Sequence, residues 1–291
     1  MSILKDFRNF LMSEDVRFTL VLFKRNPLNI IGVAILLLLI FTAAFAPMLS
    51  PYDPIAQNLE ERLAPPNRKH IMGTDQLGRD IMSRVIWGSR ISLFIAVVVV
   101  SVSLLIGLLF GTISGYFGGW IDEIIMRLTD MFMAFPRLIL ALAVAAALGP
   151  GIFNTMMAIA FVSWPLYARL ARAIALQIKN ETYIEAARAI GASTTRIIFR
   201  HLVPMALPPV LIQATLDMGG TILTAAGLGF LGLGVQPPAP EWGTMVSDGR
   251  RFITEQWWVS TFPGLAILVA TLGFNLVGDG LRDIMDVRAR R

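Results

Sequence analysis

The chain has 291 residues, of which 55% are hydrophobic and only 15% charged. A typical soluble domain carries about 25% charged residues, so this balance excludes an ordinary soluble fold and points to a chain that crosses a membrane several times. There is no cysteine, which excludes disulfides, thiolate-bound zinc, Fe–S clusters and a thiol nucleophile. The formal net charge of +5 fits basic loops that orient membrane spans. It does not indicate nucleic acid, because the basic residues form no aromatic-interleaved patch.

In chain order, residues 1–27 mix both charges and form an N-terminal arm on the inner side, with room for a short interfacial helix. Residues 28–90 hold the first span, an outer loop and an interfacial helix. The first apolar run covers about Leu28–Leu49. Ala44-Phe45-Ala46 looks like a signal-cleavage site, but the run is longer than a signal core and a long charged arm precedes it, so the span is expected to be uncleaved. Residues 50–72 contain SPYDP and APPNRKH, an extended, turn-rich linker. In GTDQLGRDIMSRVIWGSRISL, Asp75 suits an N-cap and Ile81, Val85 and Ile86 make an apolar stripe, which predicts a short amphipathic helix.

Residues 91–281 form the core. Apolar runs at about Ile91–Tyr116, Ile124–Leu148, Ile152–Ala171, Leu202–Leu233 and Val259–Gly278 each approach or exceed the roughly 20 residues that cross hydrocarbon as a helix. Helices satisfy their own backbone in lipid, and no run alternates like a barrel strand. The expected fold is therefore all-α with six transmembrane helices. An even number of spans places both ends on one side. Most of the 25 Lys and Arg residues fall on that side, including the basic tail 282–291, so both termini are expected to be cytoplasmic. The outer loop Gln236–Trp258 ends in Trp257-Trp258, which suits a membrane–water boundary.

Several chemical motifs fail. Gly227-x-Gly229-x-x-Gly232 lies at the end of an apolar span and runs into Pro237-Pro238, so it marks close helix packing or a helix end rather than a dinucleotide loop. None of Lys5, Lys24, Lys69 and Lys179 precedes Ser or Thr, so there is no Walker A loop. His70 and His201 fall on opposite sides of the expected membrane and cannot share a metal, and no span holds a His or Lys to activate a serine. No catalytic residue, metal site or cofactor is expected on this chain.

Charges inside spans cost about 2.5–3.5 kcal/mol on insertion scales and each needs a reason. Arg127 and Asp130 share a helix face and are expected to pair. Arg137 follows Pro136 and is expected to snorkel or to bond a freed carbonyl. Asp217 stands mid-way along the fifth run with Gln213, Thr221 and Thr224 at helical spacing. That stripe fits either a solute path, with Gln213, Asp217 and Thr221 as lining residues, or an interhelical hydrogen-bond seam.

The polar stretch EAARAIGASTTRIIFRHLVP, Glu185–Pro204, interrupts the apolar runs. Asn180 suits an N-cap, residues 181–190 are helix formers, Gly191 suits a left-handed helix end, Ser193 or Thr194 can cap a second short helix, and Pro204 opens the next span. The unit 180–204 reads as helix–Gly–helix at a membrane surface. EAA-x-x-x-G followed by Pro resembles the EAA loop of bacterial ABC importer permeases; His201 and Val203 depart from its usual Ile and Leu. GTDQLGRDIMSRVIWGSRISL, GYFGGWIDEIIMRLTDMFMAFP, LGFLGLGVQPPAPEWG and FNLVGDGLRD resemble the dipeptide/oligopeptide/nickel branch of that family, and within it the second of two unlike permeases.

The resemblance implies a type I ABC importer permease fold (MetI-like) in the bacterial inner membrane. It implies that Tyr183, Ile184, Glu185, Ala186, Ala187, Arg188, Gly191 and Ala192 form the coupling surface for an ATPase. Partners would be a homologous second permease, two ABC ATPase subunits that hold ATP and Mg, and a periplasmic or lipid-anchored solute-binding protein, with membrane lipid around them and no nucleic acid. The implied cargo is di- or oligopeptides, with nickel chelates, glutathione or another small solute as alternatives. A secondary transporter or channel is a second class the sequence admits, and a membrane enzyme a third.

Overall fold

A computed structural model describes Phe23 and residues 26–289 of the chain. The interfacial helix expected in the N-terminal arm lies outside the described residues, apart from the arm's last positions. Among the described residues the regular elements are helices, with one isolated bridge between Thr74 and Asp80. Five helices are long and apolar enough to cross a membrane, and a bent pair raises the number to six if counted as one span.

Helix α1, Pro27–Ala44, starts with Pro at its first position, and the Asn26 side chain accepts from the Leu28 N–H at 3.0 Å. A single turn, α2 (Ala46–Leu49), follows. Helix α3, Ile81–Phe117, is 37 residues long. Its cap is Asp80, whose Oδ2 accepts from the Ser83 N–H at 2.7 Å, and not Asp75 as the sequence suggested. Asp75 instead closes the preceding turn, accepting from the Leu77 and Arg79 amides at 2.8 and 3.0 Å and from Arg79 Nε at 2.6 Å. The short amphipathic helix expected here is thus the opening of α3: nothing between Ile81 and Phe117 breaks the ladder, and its Gly88 packs under Trp242.

The third apolar run is not straight. Helix α4, Gly119–Met133, and helix α5, Arg137–Leu148, meet at 93°. Phe135 precedes Pro136, which disfavours the helical conformation there, and Pro136 then caps α5 without a side-chain hydrogen bond. Helix α6, Ile152–Ile178, runs past the expected end at Ala171.

Helices α7 (Thr182–Ala189) and α8 (Thr194–Ile197) form the polar loop. A π-turn over Ile198–Leu202 then leads without a break into α9, Val203–Phe230. The Gly-rich end of α9 is a helix stop: Gly232 has φ +84°, its N–H bonds Gly229 O at 3.0 Å, and the Leu233 N–H bonds Leu228 O at 3.0 Å. Helix α10, Trp242–Gly249, and helix α11, Trp258–Ala289, complete the chain.

The helices enclose three apolar clusters along the bundle, one around Ile95, Ile159 and Leu228, one around Ile222, Trp242 and Ala270, and one around Leu104, Tyr167 and Val210. The loops 50–80 and 236–257 meet at one end, where Arg84 donates to Pro54 O at 3.0 Å and Trp242 Nε1 to Val85 O at 3.0 Å. Glu241 caps α10 there, accepting from the Gly243 and Thr244 amides at 2.9 Å each.

Candidate functional site

Two places hold the residues singled out from the sequence: the polar loop at one end of the bundle and a charged seam between spans. In the loop, α7 begins after Glu181, which takes the extended conformation of a cap but makes no side-chain bond; Asn180 is not the cap because the chain is still turning out of α6 at that point. Gly191 has φ +85°. Its N–H bonds Arg188 O at 2.9 Å and the next amide, Ala192, bonds Ala187 O at 3.0 Å, so the helix stop needs a residue without Cβ. The Ser193 hydroxyl accepts from the Arg196 amide at 3.3 Å and caps α8.

Only Ile184 of α7 is buried, at 0% exposure, wedged among Ala175, Ile178, Ile197, Ile198 and Leu202. Tyr183, Glu185, Ala186, Arg188 and Gly191 are exposed, Ala187 and Ala192 are half-buried, and Ile190 is 86% exposed. The Arg188 guanidinium lies 5.3 Å from the Tyr116 ring at the end of α3, and Lys179 Nζ donates to Gly115 O at 2.9 Å. The loop is therefore a small-residue knob with one bare isoleucine, gripped from behind by α3, α6 and α9.

The seam joins α5, α6 and α9. Arg137 neither snorkels nor bonds a carbonyl. It forms an ion pair with Asp217 Oδ1 and donates to Asp217 Oδ2 at 3.3 Å and Thr221 Oγ1 at 3.0 Å. The Tyr167 hydroxyl donates to Asp217 Oδ2 at 2.9 Å. Pairing wins over snorkelling because Pro136 turns the start of α5 toward the bundle, within reach of an opposite charge. Asp217 and Thr221 are buried; Gln213, one turn before Asp217, is half-buried. The Thr224 hydroxyl is spent within its own helix, on Gly220 O at 2.7 Å. Sequence reading treated Arg137 and Asp217 separately and missed Tyr167; two opposite charges in two apolar runs were the available signal.

The expected Arg127–Asp130 pair does not form. Arg127 binds Glu123 through Nε at 3.0 Å, and Asp130 accepts from Arg169 of α6 at 2.5 Å. An acidic residue four positions before the basic one is the better orientation on a helix, which frees Asp130 to reach across. Arg172 of α6 likewise holds Asp122 with two bonds of 2.5 and 2.6 Å. Among the described residues no group of three or more His, Asp or Glu could hold a metal.

The pattern of the family described as "Binding-protein-dependent transport system inner membrane component" matches residues 107–291. The chain belongs to that family. Residues 20–66 match a second pattern, the N-terminal TM domain of oligopeptide transport permease C. The chain is 48% identical to the probable D,D-dipeptide transport system permease protein DdpC of Escherichia coli K12, over 91% of this chain and 89% of the relative. It is 46% identical to the dipeptide transport system permease protein DppC of the same organism, over 92% of each. To the oligopeptide transport system permease protein OppC of Bacillus subtilis it is 43% identical, over 92% of this chain and 88% of the relative. The fold is similar to a chain of the inward-facing MetNI methionine ABC transporter, with a TM-score of 0.56 at 21% identity, covering 71% of this chain and 97% of that one. The chain is thus an all-α, multi-pass membrane permease of the ABC importer class.

Proposed function

We propose that the chain is one of two unlike permease subunits of an ATP-driven importer of di- or oligopeptides in the bacterial inner membrane. Relatives at 43–48% identity named as dipeptide or oligopeptide permeases support the cargo class. In this reading the bundle has six spans, with α4 and α5 together as the third, and both termini are cytoplasmic. A homologous permease completes the path, a periplasmic or lipid-anchored binding protein delivers the peptide, and two ATPase subunits carry ATP and Mg, since this chain has no Walker A lysine.

The observation that carries the reading is the build of the polar loop. Tyr183, Glu185, Ala186, Arg188, Ile190 and Gly191 are exposed while Ile184 is the one buried side chain of α7. A knob of that build seats in a groove of another protein and passes its displacement through Ile184 to α6 and α9. When ATP closes the ATPase pair, the two permeases' knobs are drawn together and the spans rock between two packings. Gln213, Asp217 and Thr221 stand on the path in this scheme.

The test is co-purification. Glu185→Ala removes the exposed carboxylate of the knob, and Gly191→Pro cannot adopt φ +85° and loses the bond to Arg188 O. Both variants should insert normally, yet yield less ATPase in the purified complex and import less peptide. Wild-type complex yield and uptake from both would end the assignment of this loop.

A further inference from the structure

We propose that Arg137 is a carboxylate-binding residue of the solute path, positioned by Asp217, Tyr167 and Thr221 to take the C-terminal carboxylate of a peptide. The proposal rests on the peptide-importer reading and adds a contact to it. An arginine carries five N–H donors. Asp217 and Thr221 take three, one from Nη1 and two from Nη2. One hydrogen on Nη1 is left over, and Nε is buried with no partner. An ion pair built only to tie helices together has no use for a surplus of donors in a low-dielectric setting, where an unmet donor is costly.

The side chain stands at an opening, although its Nε is buried. Arg137 is the first residue of the 12-residue α5, beside the 93° break with α4. Non-helical backbone at membrane depth is tolerated where it is buried in protein or lines a cavity, and broken helices present their positive N-termini to anionic solute groups in transporters. Arg137 lines a cavity of about 200 Å³ with Ser163, Phe132, Phe135, Leu140 and Pro165. The Ser163 hydroxyl donates to Ile159 O at 2.6 Å, which leaves its oxygen as an acceptor only. The remaining wall is apolar, so the guanidinium is the cavity's one cation. Its side chain is 31% exposed, whereas Asp217 is 7% exposed.

Asp217 balances the guanidinium's charge while the cavity is empty. An arriving carboxylate takes the free Nη1 hydrogen and displaces the long Nη2–Asp217 bond of 3.3 Å, while Asp217 retains the Tyr167 hydroxyl at 2.9 Å. The apolar walls then receive the adjacent side chain of the peptide.

The test uses the whole transporter, reconstituted with its second permease, ATPases and binding protein, and two probes, Ala-Ala and its C-terminal amide. Uptake kcat/KM is compared between wild type and the neutral double variant Arg137→Gln/Asp217→Asn, which leaves no uncompensated charge. The binding protein's own preference is common to both and cancels in the comparison. The acid-to-amide ratio should fall about tenfold or more in the variant, the loss of one charge-assisted hydrogen bond, whatever change in uptake the two probes share. Arg137→Lys, which keeps the charge and loses the fork, should give an intermediate ratio and serves if the double variant fails to assemble. Equilibrium binding of both probes to the receptor-free complex should show the same preference for the acid and the same loss in the variant. Equal loss for acid and amide, no loss for either, or no preference in receptor-free wild type would overturn the proposal. A wild-type transporter that imports neither probe overturns the peptide reading itself, and the subsite with it.

Discussion

At the scale of single residues, the charged seam and the α10 cap both set burial against pairing. Asp217 is nearly buried and Arg137 about a third exposed. Asp217→Ala should therefore destabilise the detergent-purified protein by about 2 kcal/mol, less than the roughly 3–5 kcal/mol of breaking a fully buried pair. The neutral double variant should recover most of that in a thermal-shift comparison, because the penalty comes from the charge left behind. Glu241 behaves differently. Burial pushes its carboxyl above the ordinary value of 4.5, against the lowering effect of the Gly243 and Thr244 amides. Folding therefore favours its protonated form, so its contribution is greatest below 4.5 and is lost as pH rises through the raised folded value. The melting temperature of wild type relative to that of Glu241→Gln should rise as pH is lowered from neutrality toward 4.5; a difference independent of pH would contradict this. The two charges of the seam were legible in the sequence, because Arg137 and Asp217 each stand out in an apolar run. Their pairing was not, because it depends on the turn at Pro136 that brings α5 toward α9.

At the scale of elements, apolar runs located five long helices well, the third run being a bent pair, and the helix ends poorly. Hydropathy reports where lipid can be, while a helix continues until a cap or a breaker stops it. Hence α3 begins at its Asp80 cap and α6 runs on to Ile178, both beyond the apolar runs. The helix–Gly–helix form of the loop was legible for the same reason: Gly191 and Ser193 are strong local signals that need no tertiary partner. The close pairing of α3 with α6 was less visible. Gly107, Gly111 and Gly115 are spaced one turn apart, and a Cβ on Gly111 would meet Ala168 O at 2.3 Å. Small residues at such spacing let helix backbones touch in a membrane, where packing replaces the hydrophobic effect. Gly111→Leu should force the two helices apart and cost at least about 1–3 kcal/mol, read as a lower melting temperature and a lower yield of assembled complex. Gly264→Ala, also helical but with nothing within 4 Å of the added Cβ, should be neutral or gain about 0.5–1 kcal/mol. Equal behaviour of the two variants would mean that the α3–α6 approach is not a tight constraint.

At the scale of the whole molecule, the two ends of the bundle differ in construction, and that difference should map onto the two sides of the membrane. One end is a broad cap in which residues 50–80 and 236–257 are tied together by Arg84, which donates to both Pro54 O and Pro238 O, and by Arg79 beside Asp248. The other carries the α7–α8 knob with Arg188 and Ile190 exposed. An ATP-driven importer needs the knob in the cytoplasm and the cap facing the binding protein. The charge bias of the loops points the same way, although Arg79 and Arg84 work against it from the cap. Both are buried, and each lies near Asp75, with Arg79 also near Asp248. Arginines compensated inside a folded cap weigh less in the bias than those in exposed loops. The chain contains no cysteine, so single cysteines report without background. Ile190→Cys, at an 86% exposed position, and Ile55→Cys, at a 46% exposed one, should take a membrane-impermeant maleimide from opposite sides. In intact spheroplasts Ile55→Cys should label and Ile190→Cys should not, and inverted vesicles should reverse the pattern. Masking of Ile190→Cys in inverted vesicles when the ATPases are co-expressed would add that the knob is seated in them. Labelling of both positions from one side would reverse one end of the bundle and remove the basis for placing the motor against α7.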